Sequence, residues 1–368
     1  MSPAADPTPP GLNPLAWRLA ERIAQEGPIT AADYMTACLH DPEHGYYATR
    51  PRLGAEGDFI TAPLVSQMFG EMLGAWVAEV WVRLGQPAPF RLVEVGPGDG
   101  TLMSDMLRVL ARAPGLLAAA ELWLVESSQP LRARQAERLA GHAPQWAGRL
   151  SEVPAGAPMI LLANELLDCL PVRQFLRTSA GWAERRVGLD AEGRLAFGLA
   201  PTPPDFRPPP GLDQPPEGVI VELSPAQAAF GTVIGARIAR DGGAALLIDY
   251  GRAAPEPGDT LQALVAHQKV DPLACPGEAD LTVHADFSTV AAAARQAGAD
   301  TAPILGQGEF LLRLGVEHRA AALAQARPDL AERIGRQLAR LVDPDQMGAL
   351  FKVLAIHQNG HPVPGFEA

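Results

Sequence analysis

The chain has 368 residues and a mass of 38.9 kDa, more than one hydrophobic core usually supports, so we expect a main domain with an inserted or second domain. Apolar residues never run to the length of about 18 that a membrane-spanning helix needs, which excludes such a helix on sequence grounds. Thirty Lys and Arg against 42 Asp and Glu give a net charge of -12, a field that repels phosphate backbones. Nucleic acid is therefore not an expected partner.

Cysteine and histidine spacing gives no sign of a metal site. Cys38, Cys169 and Cys275 are far apart and lack a CxxC spacing, which argues against a disulfide framework or a structural zinc. His40 and His44 enclose Asp-Pro-Glu, which favours a turn, so no metal is expected there either. The N-terminus, MSPAADPTPPGLNPLAW, has no basic region followed by an apolar stretch. The resulting expectation is a cytoplasmic, bacterial protein.

The predicted elements divide the chain into four parts. A proline-rich arm over residues 1–13 is expected to be flexible, and a helical segment follows over 14–89. Strands and helices then alternate through FRLVEV, TLMSDMLRVLARA, ELWLVE, PLRARQAERLAG and MILLA, which is typical of a doubly wound α/β sheet. Residues 172–217 break the pattern with short antiparallel strands and the stretch PTPPDFRPPPGLDQPPE, which predicts an inserted β-rich subdomain. The α/β pattern resumes afterwards, so the sheet domain is discontinuous, over 90–171 and 218–368.

A glycine-rich turn after the strand FRLVEV carries the most information. Its glycines allow a ligand to approach the backbone, and the following helix presents free N–H groups. A dinucleotide fingerprint, GxGxxG, would need a third glycine at position 101, which is Thr. Glu94 suits a cofactor with an ammonium and a sulfonium, such as S-adenosylmethionine, better than a pyrophosphate; an ordinary β–α turn is the alternative. The candidate cofactor-binding residues here are Glu94, Gly96, Pro97, Gly98, Gly100 and Thr101.

Polar side chains also follow the next two strands. Glu126 ends ELWLVE, where α/β cofactor folds place a carboxylate that accepts ribose hydroxyls, although a solvated surface acid would look the same. Asn164, Glu165 and Asp168 follow MILLA and are the candidate catalytic residues, because the carboxyl end of that strand faces the reacting part of a cofactor. The alternative for Asn164 and Asp168 is that they cap a short helix.

A further set of polar side chains lies at and after the strand LLIDYG. Polar groups past the carboxyl end of a strand commonly line a substrate cleft, although solvation of loops explains the loop residues equally well. The candidate substrate-binding residues are Asp249, Tyr250, His267, His284 and Asp286.

Several segments resemble the MidA-like family of class I S-adenosylmethionine-dependent methyltransferases, whose mitochondrial members are complex I assembly factors that methylate an arginine of a core complex I subunit. The matches run over most of the chain in order. They are HGYY (44–47), GDFITAP (57–63), SQMFGE (66–71), VGPGDGTL (95–102), ANELLDCLPV (163–172), LIDYG (247–251), TLQA (260–263), DPLACPGEADLTVHADF (271–287), MGALFKV (347–353) and PGF (364–366).

The resemblance implies a Rossmann-like class I methyltransferase sheet that binds S-adenosylmethionine at the GPGDG turn and Glu126. It implies that Gly57, Asp58 and Gln67 lie across the cofactor as a lid, and that the NELLD segment lies at the methyl-donor mouth. Two positions depart from the family pattern: Leu64, where an acid is expected in TAPEIS, and Asp99, which replaces the Arg of GPGRG.

The leading hypothesis is therefore methylation of a protein on an arginine, a target that the acidic net charge suits. A non-catalytic assembly factor that binds a partner subunit is the alternative from another class. A nicotinamide-dependent oxidoreductase is the third, and Thr101 counts against it.

Overall fold

The computed structural model describes residues 13–49 and 61–367, which form two compact units. We call them the sheet unit and the β-rich unit. The described residues of the sheet unit are 61–168, 227–254 and 284–367, and those of the β-rich unit are 13–49, 169–226 and 255–283. Within the described residues, no helix combines the length and the apolar character needed to cross a membrane.

Helices and strands follow one another along the whole described part of the chain. In chain order, the α-helices are α1 (Pro14–Glu26), α2 (Ala31–His40), α3 (Tyr46–Thr49), α4 (Ala62–Val65), α5 (Gln67–Arg83), α6 (Thr101–Leu110), α7 (Leu116–Ala119), α8 (Gln129–Arg138), α9 (Pro225–Asp241), α10 (Phe287–Gln296), α11 (Gln307–Arg313), α12 (Val316–Ala326) and α13 (Ala331–Val342). The strands are β1 (Ile29–Thr30), β2 (Phe90–Val95), β3 (Ala120–Val125), β4 (Gln145–Ala147), β5 (Met159–Asn164), β6 (Arg173–Thr178), β7 (Gly181–Leu189), β8 (Leu195–Pro201), β9 (Ile220–Leu223), β10 (Gly243–Arg252), β11 (Gln262–Val265), β12 (Gln268–Val270), β13 (Asp280–Thr282), β14 (Ala285–Asp286), β15 (Asp300–Thr301), β16 (Leu305–Gly306) and β17 (Phe351–His357).

A mostly parallel sheet organises the sheet unit. Its strand order is β15-β17-β10-β5-β2-β3-β4, with β14 beside β10 and β16 beside β17. The strands from β10 to β4 are parallel, whereas β17 pairs antiparallel with β10. In β2 all six residues are buried, as expected for a central strand covered on both faces. The carboxyl ends of β2, β3, β5 and β10 therefore meet along one edge, which confirms the predicted α/β sheet and defines where a ligand is expected.

The β-rich unit contains two further sheets. Strands β1, β7, β6 and β9 follow one another with β8 beside β7, and β12, β11 and β13 form the other sheet. The structure differs here from the predicted boundaries, because helices α1 to α3 and residues 255–283 group with the strands of the predicted insertion. One cause is local: the Tyr34 hydroxyl on α2 donates a 2.6 Å hydrogen bond to the carbonyl of Pro272.

Two glycines on α9 allow it to pack closely against α10. A Cβ at Gly231 would lie 2.5 Å from the carbonyl oxygen of Val290, and one at Gly235 would lie 2.5 Å from that of Ala294. Both neighbours are backbone atoms, which cannot move aside as a flexible side chain can. The close packing of α9 against α10 therefore depends on glycine, which has no side chain, at positions 231 and 235.

We predict that Gly235→Ala lowers the free energy of unfolding by about 1–3 kcal/mol, because the added methyl overpacks the helix contact. Gly335→Ala on α13 is the matched control: that position is open, and the change should raise stability by about 0.5–1 kcal/mol. Urea denaturation of both variants measures the difference. Equal effects of the two substitutions would contradict this packing.

Candidate active site

The glycine-rich turn connects the carboxyl end of β2 to the start of α6. Gly96, Gly98 and Gly100 have φ values of 68°, 54° and 83°, a left-handed backbone that favours glycine. A Cβ at Gly96 would meet the side chain of Leu166 at 3.0 Å, so this turn abuts the turn that follows β5. The backbone of the turn is thus shaped by its glycines, as the sequence indicated.

Asp99, which departs from the family pattern, has a local role in this turn. Its Oδ1 accepts a 3.0 Å hydrogen bond from the N–H of Thr101, the first residue of α6. Its Oδ2 accepts a 2.8 Å bond from Arg138, which also donates to the Thr101 hydroxyl at 2.6 Å. The carboxylate therefore bonds the N–H at the start of α6 and pairs with an arginine of the same unit, so an opposite charge lies beside it.

Two polar atoms at the ends of β2 and β5 have no hydrogen-bond partner among the described residues. They are Glu94 Oε2 and Asn164 Oδ1, both buried. Burial, with a smaller contribution from the charge of Asp99, raises the pKa of Glu94 to about 8. An unpaired buried carboxylate is costly, and a ligand that brings an ammonium beside it supplies the missing charge. The orphaned oxygen of Glu94 consequently fits the ammonium of S-adenosylmethionine, and the catalytic role predicted for Asn164 stays a prediction.

Glu126 follows β3 and is held by a chain of hydrogen bonds. Its Oε1 accepts a 2.7 Å bond from the N–H of Ser128, and its Oε2 accepts one of 3.3 Å from Gln135 Nε2. Gln135 is fully buried and also donates to the Gly98 carbonyl at 2.7 Å. The indole N–H of Trp146 donates to Gln135 Oε1 at 2.9 Å, which fixes the orientation of the amide. Gln135 thereby joins the glycine turn to the carboxylate predicted to bind the ribose.

The segment after β5 is a tight turn with an unusual backbone. Glu165 has a φ of 52°, a conformation that costs a residue other than glycine about 1–3 kcal/mol. Its Oε1 accepts 3.0 Å hydrogen bonds from the N–H of Ala62, at the start of α4, and from the side chain of Asn164. Burial is the main cause that raises the pKa of Glu165 to about 7. The carboxyl group of Glu165 therefore gains or loses its proton near neutral pH.

Asp168 and Asp249 lie beside Glu165. Asp168 is 7% exposed, and Asp249, on β10, is fully buried. Burial and the charges of Asp168 and Glu165 raise the pKa of Asp249. Both oxygens of Asp249 accept backbone N–H groups, Oδ1 from Tyr250 and Oδ2 from Leu167 and Asp168. This bonding favours a role inside the turn over the direct substrate contact predicted for Asp249.

The remaining predicted substrate residues occupy different places. His284 stacks edge to face on Tyr250, with ring centroids 5.7 Å apart, in the sheet unit. Asp286 caps α10, accepting from the Thr289 N–H at 3.0 Å. His267 belongs to the β-rich unit, exposed between β11 and β12. The structure therefore gathers only part of the predicted set in the sheet unit.

The predicted lid residues are covered only in part. Gly57 and Asp58 lie outside the described residues. Gln67 is the first residue of α5, exposed, and its amide donates a 3.3 Å hydrogen bond to Glu71. Its predicted contact with the cofactor stays a prediction.

A parallel α/β sheet with a GxGxG turn and acids on neighbouring strand ends defines a class I methyltransferase rather than a dinucleotide enzyme. Residues 72–305, more than half of the chain, match the model of the family described as "Putative S-adenosyl-L-methionine-dependent methyltransferase". The chain belongs to this family, and it is an S-adenosylmethionine-dependent methyltransferase. The resemblance found in the sequence is confirmed.

Relatives and a solved structure agree with this assignment. The chain is 36% identical to the mitochondrial protein arginine methyltransferase NDUFAF7 homolog of Drosophila melanogaster, over 97% of this chain and 89% of that one. Identity to the human mitochondrial protein arginine methyltransferase NDUFAF7 is 35%, over 96% and 85%. A crystal structure from Burkholderia thailandensis, bound to S-adenosyl-homocysteine, superposes with a TM-score of 0.82 at 30% identity and covers 96% of this chain and 92% of that one.

The expected cytoplasmic location is wrong, because the fruit-fly and human relatives are mitochondrial proteins. These mitochondrial relatives likewise give no support to the expected bacterial source.

Sequence reasoning missed the amide side chains that support the site. Gln135 and Gln227 are both fully buried, which is unusual for glutamine. Neither belongs to a motif, and each bonds to residues distant in the chain, so no local signal marks them. The nearest available signal for Gln135 is its place on α8, the first helix after Glu126 and the strand β3.

We predict that Gln135→Leu weakens the binding of S-adenosylhomocysteine by about 5- to 30-fold, or roughly 1–2 kcal/mol, because both the turn and Glu126 lose a shared donor. Gln129→Leu, at an exposed position on the same helix, is the matched control and should bind normally. Calorimetric titration measures both affinities. Normal binding by the Gln135 variant would show that the amide does not support the cofactor site.

Proposed function

We propose that this methyltransferase transfers a methyl group to an arginine side chain of a protein, a subunit of respiratory complex I. The observation that carries the proposal is the pair of carboxylates, Glu165 and Asp168, in a turn that abuts the glycine turn through Leu166 and Gly96. The names of the relatives, which are mitochondrial protein arginine methyltransferases, support the arginine acceptor. The family resemblance supports complex I as the source of the substrate.

The cofactor residues in this proposal are those at the ends of β2 and β3. The backbone of the turn that leads into α6 would lie against the cofactor, and it is formed by Gly96, Pro97, Gly98, Gly100 and Thr101. Glu94 would face the ammonium of the bound cofactor, and Glu126 would accept hydrogen bonds from its ribose hydroxyls. These assignments rest on the orphaned Glu94 oxygen and on the hydrogen bonds that fix Glu126.

An arginine acceptor explains why carboxylates stand beside the methyl donor. S-adenosylmethionine supplies an electrophilic methyl group on a sulfonium. The guanidinium of arginine keeps its charge in water, so its nitrogens are poor nucleophiles until a carboxylate orients the group and localises its charge. Glu165 and Asp168 are assigned this role, and positioning with electrostatic stabilisation provides the catalysis. The net charge of -12 favours approach of a cationic target.

Cofactor affinity should depend on pH through Glu94. Because its pKa lies near 8 in the ligand-free protein, the carboxyl is mostly protonated at pH 6.5 and must release its proton when an ammonium binds. We predict that S-adenosylhomocysteine binds more tightly as the pH rises from about 6.5 to 8, by up to about tenfold per pH unit. Glu94→Gln should bind weakly and lose this dependence. Calorimetry across the pH range measures it, and a pH-independent wild-type affinity would contradict the assignment.

Glu165→Gln tests the acceptor role, because it removes the charge at nearly constant shape. We predict at least a tenfold loss of methyl transfer to a complex I core subunit, with S-adenosylhomocysteine affinity within about twofold of wild type. Mass spectrometry of the methylated arginine measures transfer. Glu137→Gln, at an exposed position of α8, is the control and should act as wild type.

Three results would contradict this proposal in different ways. Wild-type transfer by the Glu165 variant would remove this residue from the acceptor site. A loss of cofactor affinity would instead place Glu165 on the donor side. Absence of any methylated arginine with the wild-type enzyme would reject the proposed acceptor.

A further inference from the structure

The turn after β5 is held from one side by the strand β10. Asp249 Oδ2 accepts hydrogen bonds from the N–H groups of Leu167, at 2.8 Å, and Asp168, at 3.1 Å. The N–H of Glu165 donates to the carbonyl of Ile248 at 2.8 Å. The backbone donors of Glu165, Leu167 and Asp168 are thus bonded to two adjacent residues of β10.

The other side of the turn is held by α9. Gln227 Nε2 donates to the carbonyl of Leu167 at 2.8 Å, and Gln227 Oε1 accepts from the N–H of Asp286 at 2.8 Å. Both ends of the amide are therefore bonded, which fixes its orientation. Leu167 consequently has its N–H bonded to one buried side chain and its carbonyl to another.

Burying a carboxylate and an amide is unfavourable unless their bonds are well made, and both side chains are fully buried. Local sequence does not enforce the conformation of the turn, because Glu165 takes a left-handed backbone that its side chain disfavours. Residues in such conformations persist only where the surrounding structure holds them. Asp249 and Gln227 provide that restraint here.

We propose that Asp249 and Gln227 are positioning residues, which fix the turn 164–168 so that the carboxylates of Glu165 and Asp168 meet the acceptor together. Asp249 acts through the backbone of the turn and does not contact the substrate. This inference rests on the proposed acceptor role of Glu165 and Asp168, and it assigns their precise placement to residues on β10 and α9.

The test combines kinetics with hydrogen exchange on the full-length protein. Asp249→Asn keeps the shape of the side chain but removes the charge and one acceptor. We expect kcat for methyl transfer to fall at least tenfold, S-adenosylhomocysteine affinity to stay within twofold, and exchange of the Leu167 and Asp168 amides to accelerate at least tenfold. Gln227→Met, which deletes the donor and acceptor at similar volume, should lower kcat in the same way.

Gln307→Met is the matched control for a general loss of stability. Gln307 is also fully buried in the sheet unit and donates to a backbone carbonyl, that of Leu341 at 2.9 Å. Its substitution should leave kcat and exchange in the turn unchanged even where the melting temperature falls. An equal loss of kcat in this control would attribute the effect to stability and overturn the proposal.

The remaining outcomes separate this inference from the proposed function. Unchanged exchange in the Asp249 variant overturns the positioning role, and an altered acceptor KM with unchanged exchange overturns it in favour of substrate contact. Faster exchange with normal kcat also overturns it, because the turn would then not position catalytic groups. If Glu165→Gln and Asp168→Asn both transfer methyl at the wild-type rate, the proposed function fails, while exchange still reports whether Asp249 holds the turn.

Discussion

The site depends on one physical constraint, which is the burial of several carboxylates along the carboxyl edge of the parallel sheet. Removal from water favours the neutral form of each carboxyl, and their proximity adds repulsion among Glu165, Asp168 and Asp249. A parallel sheet concentrates them, because its strands all end at the same edge. Backbone N–H groups and side-chain amides compensate Glu126 and Asp249, whereas Glu94 keeps an orphaned oxygen. That edge is consequently suited to cations, which both the methyl donor and an arginine acceptor carry.

The burial of these carboxylates explains why hydrogen bonds hold both the glycine turn and the acidic turn 164–168. A carboxylate contributes to binding or catalysis only when its position is fixed, so the turns that carry these groups need partners of their own. Gln135 links the glycine turn to Glu126, and Gln227 holds the acidic turn. Each amide uses its oxygen and its nitrogen within the sheet unit, so its orientation is determined. The carboxylates therefore act on the ligands, whereas the buried amides hold the carboxylates in position.

The sequence predicted those parts of the molecule that local pattern controls. Glycines at 96, 98 and 100 adopt the left-handed backbone that makes the turn, and Glu126 follows its strand as expected. The sequence pattern does not predict hydrogen bonds between residues that are separated in the chain. Gln135 and Trp146 are 11 positions apart, and Gln227 and Asp286 are 59 positions apart. For the same reason the sequence pattern predicts the strand that carries Asp249 but not the direction of its hydrogen bonds. The sequence pattern places residues 255–283 in the sheet domain, because their short strands β11 to β13 carry no marker of the unit they join.

Calorimetric titration of the ligand-free protein with S-adenosylmethionine and, separately, with NADH tests the electrostatic basis of the site most directly. An acidic edge with an orphaned Glu94 should attract a ligand that bears an ammonium and a sulfonium and repel an anionic pyrophosphate. The predicted result is saturable binding of S-adenosylmethionine with no detectable binding of NADH. Comparable affinity for NADH, or no binding of S-adenosylmethionine, would contradict it.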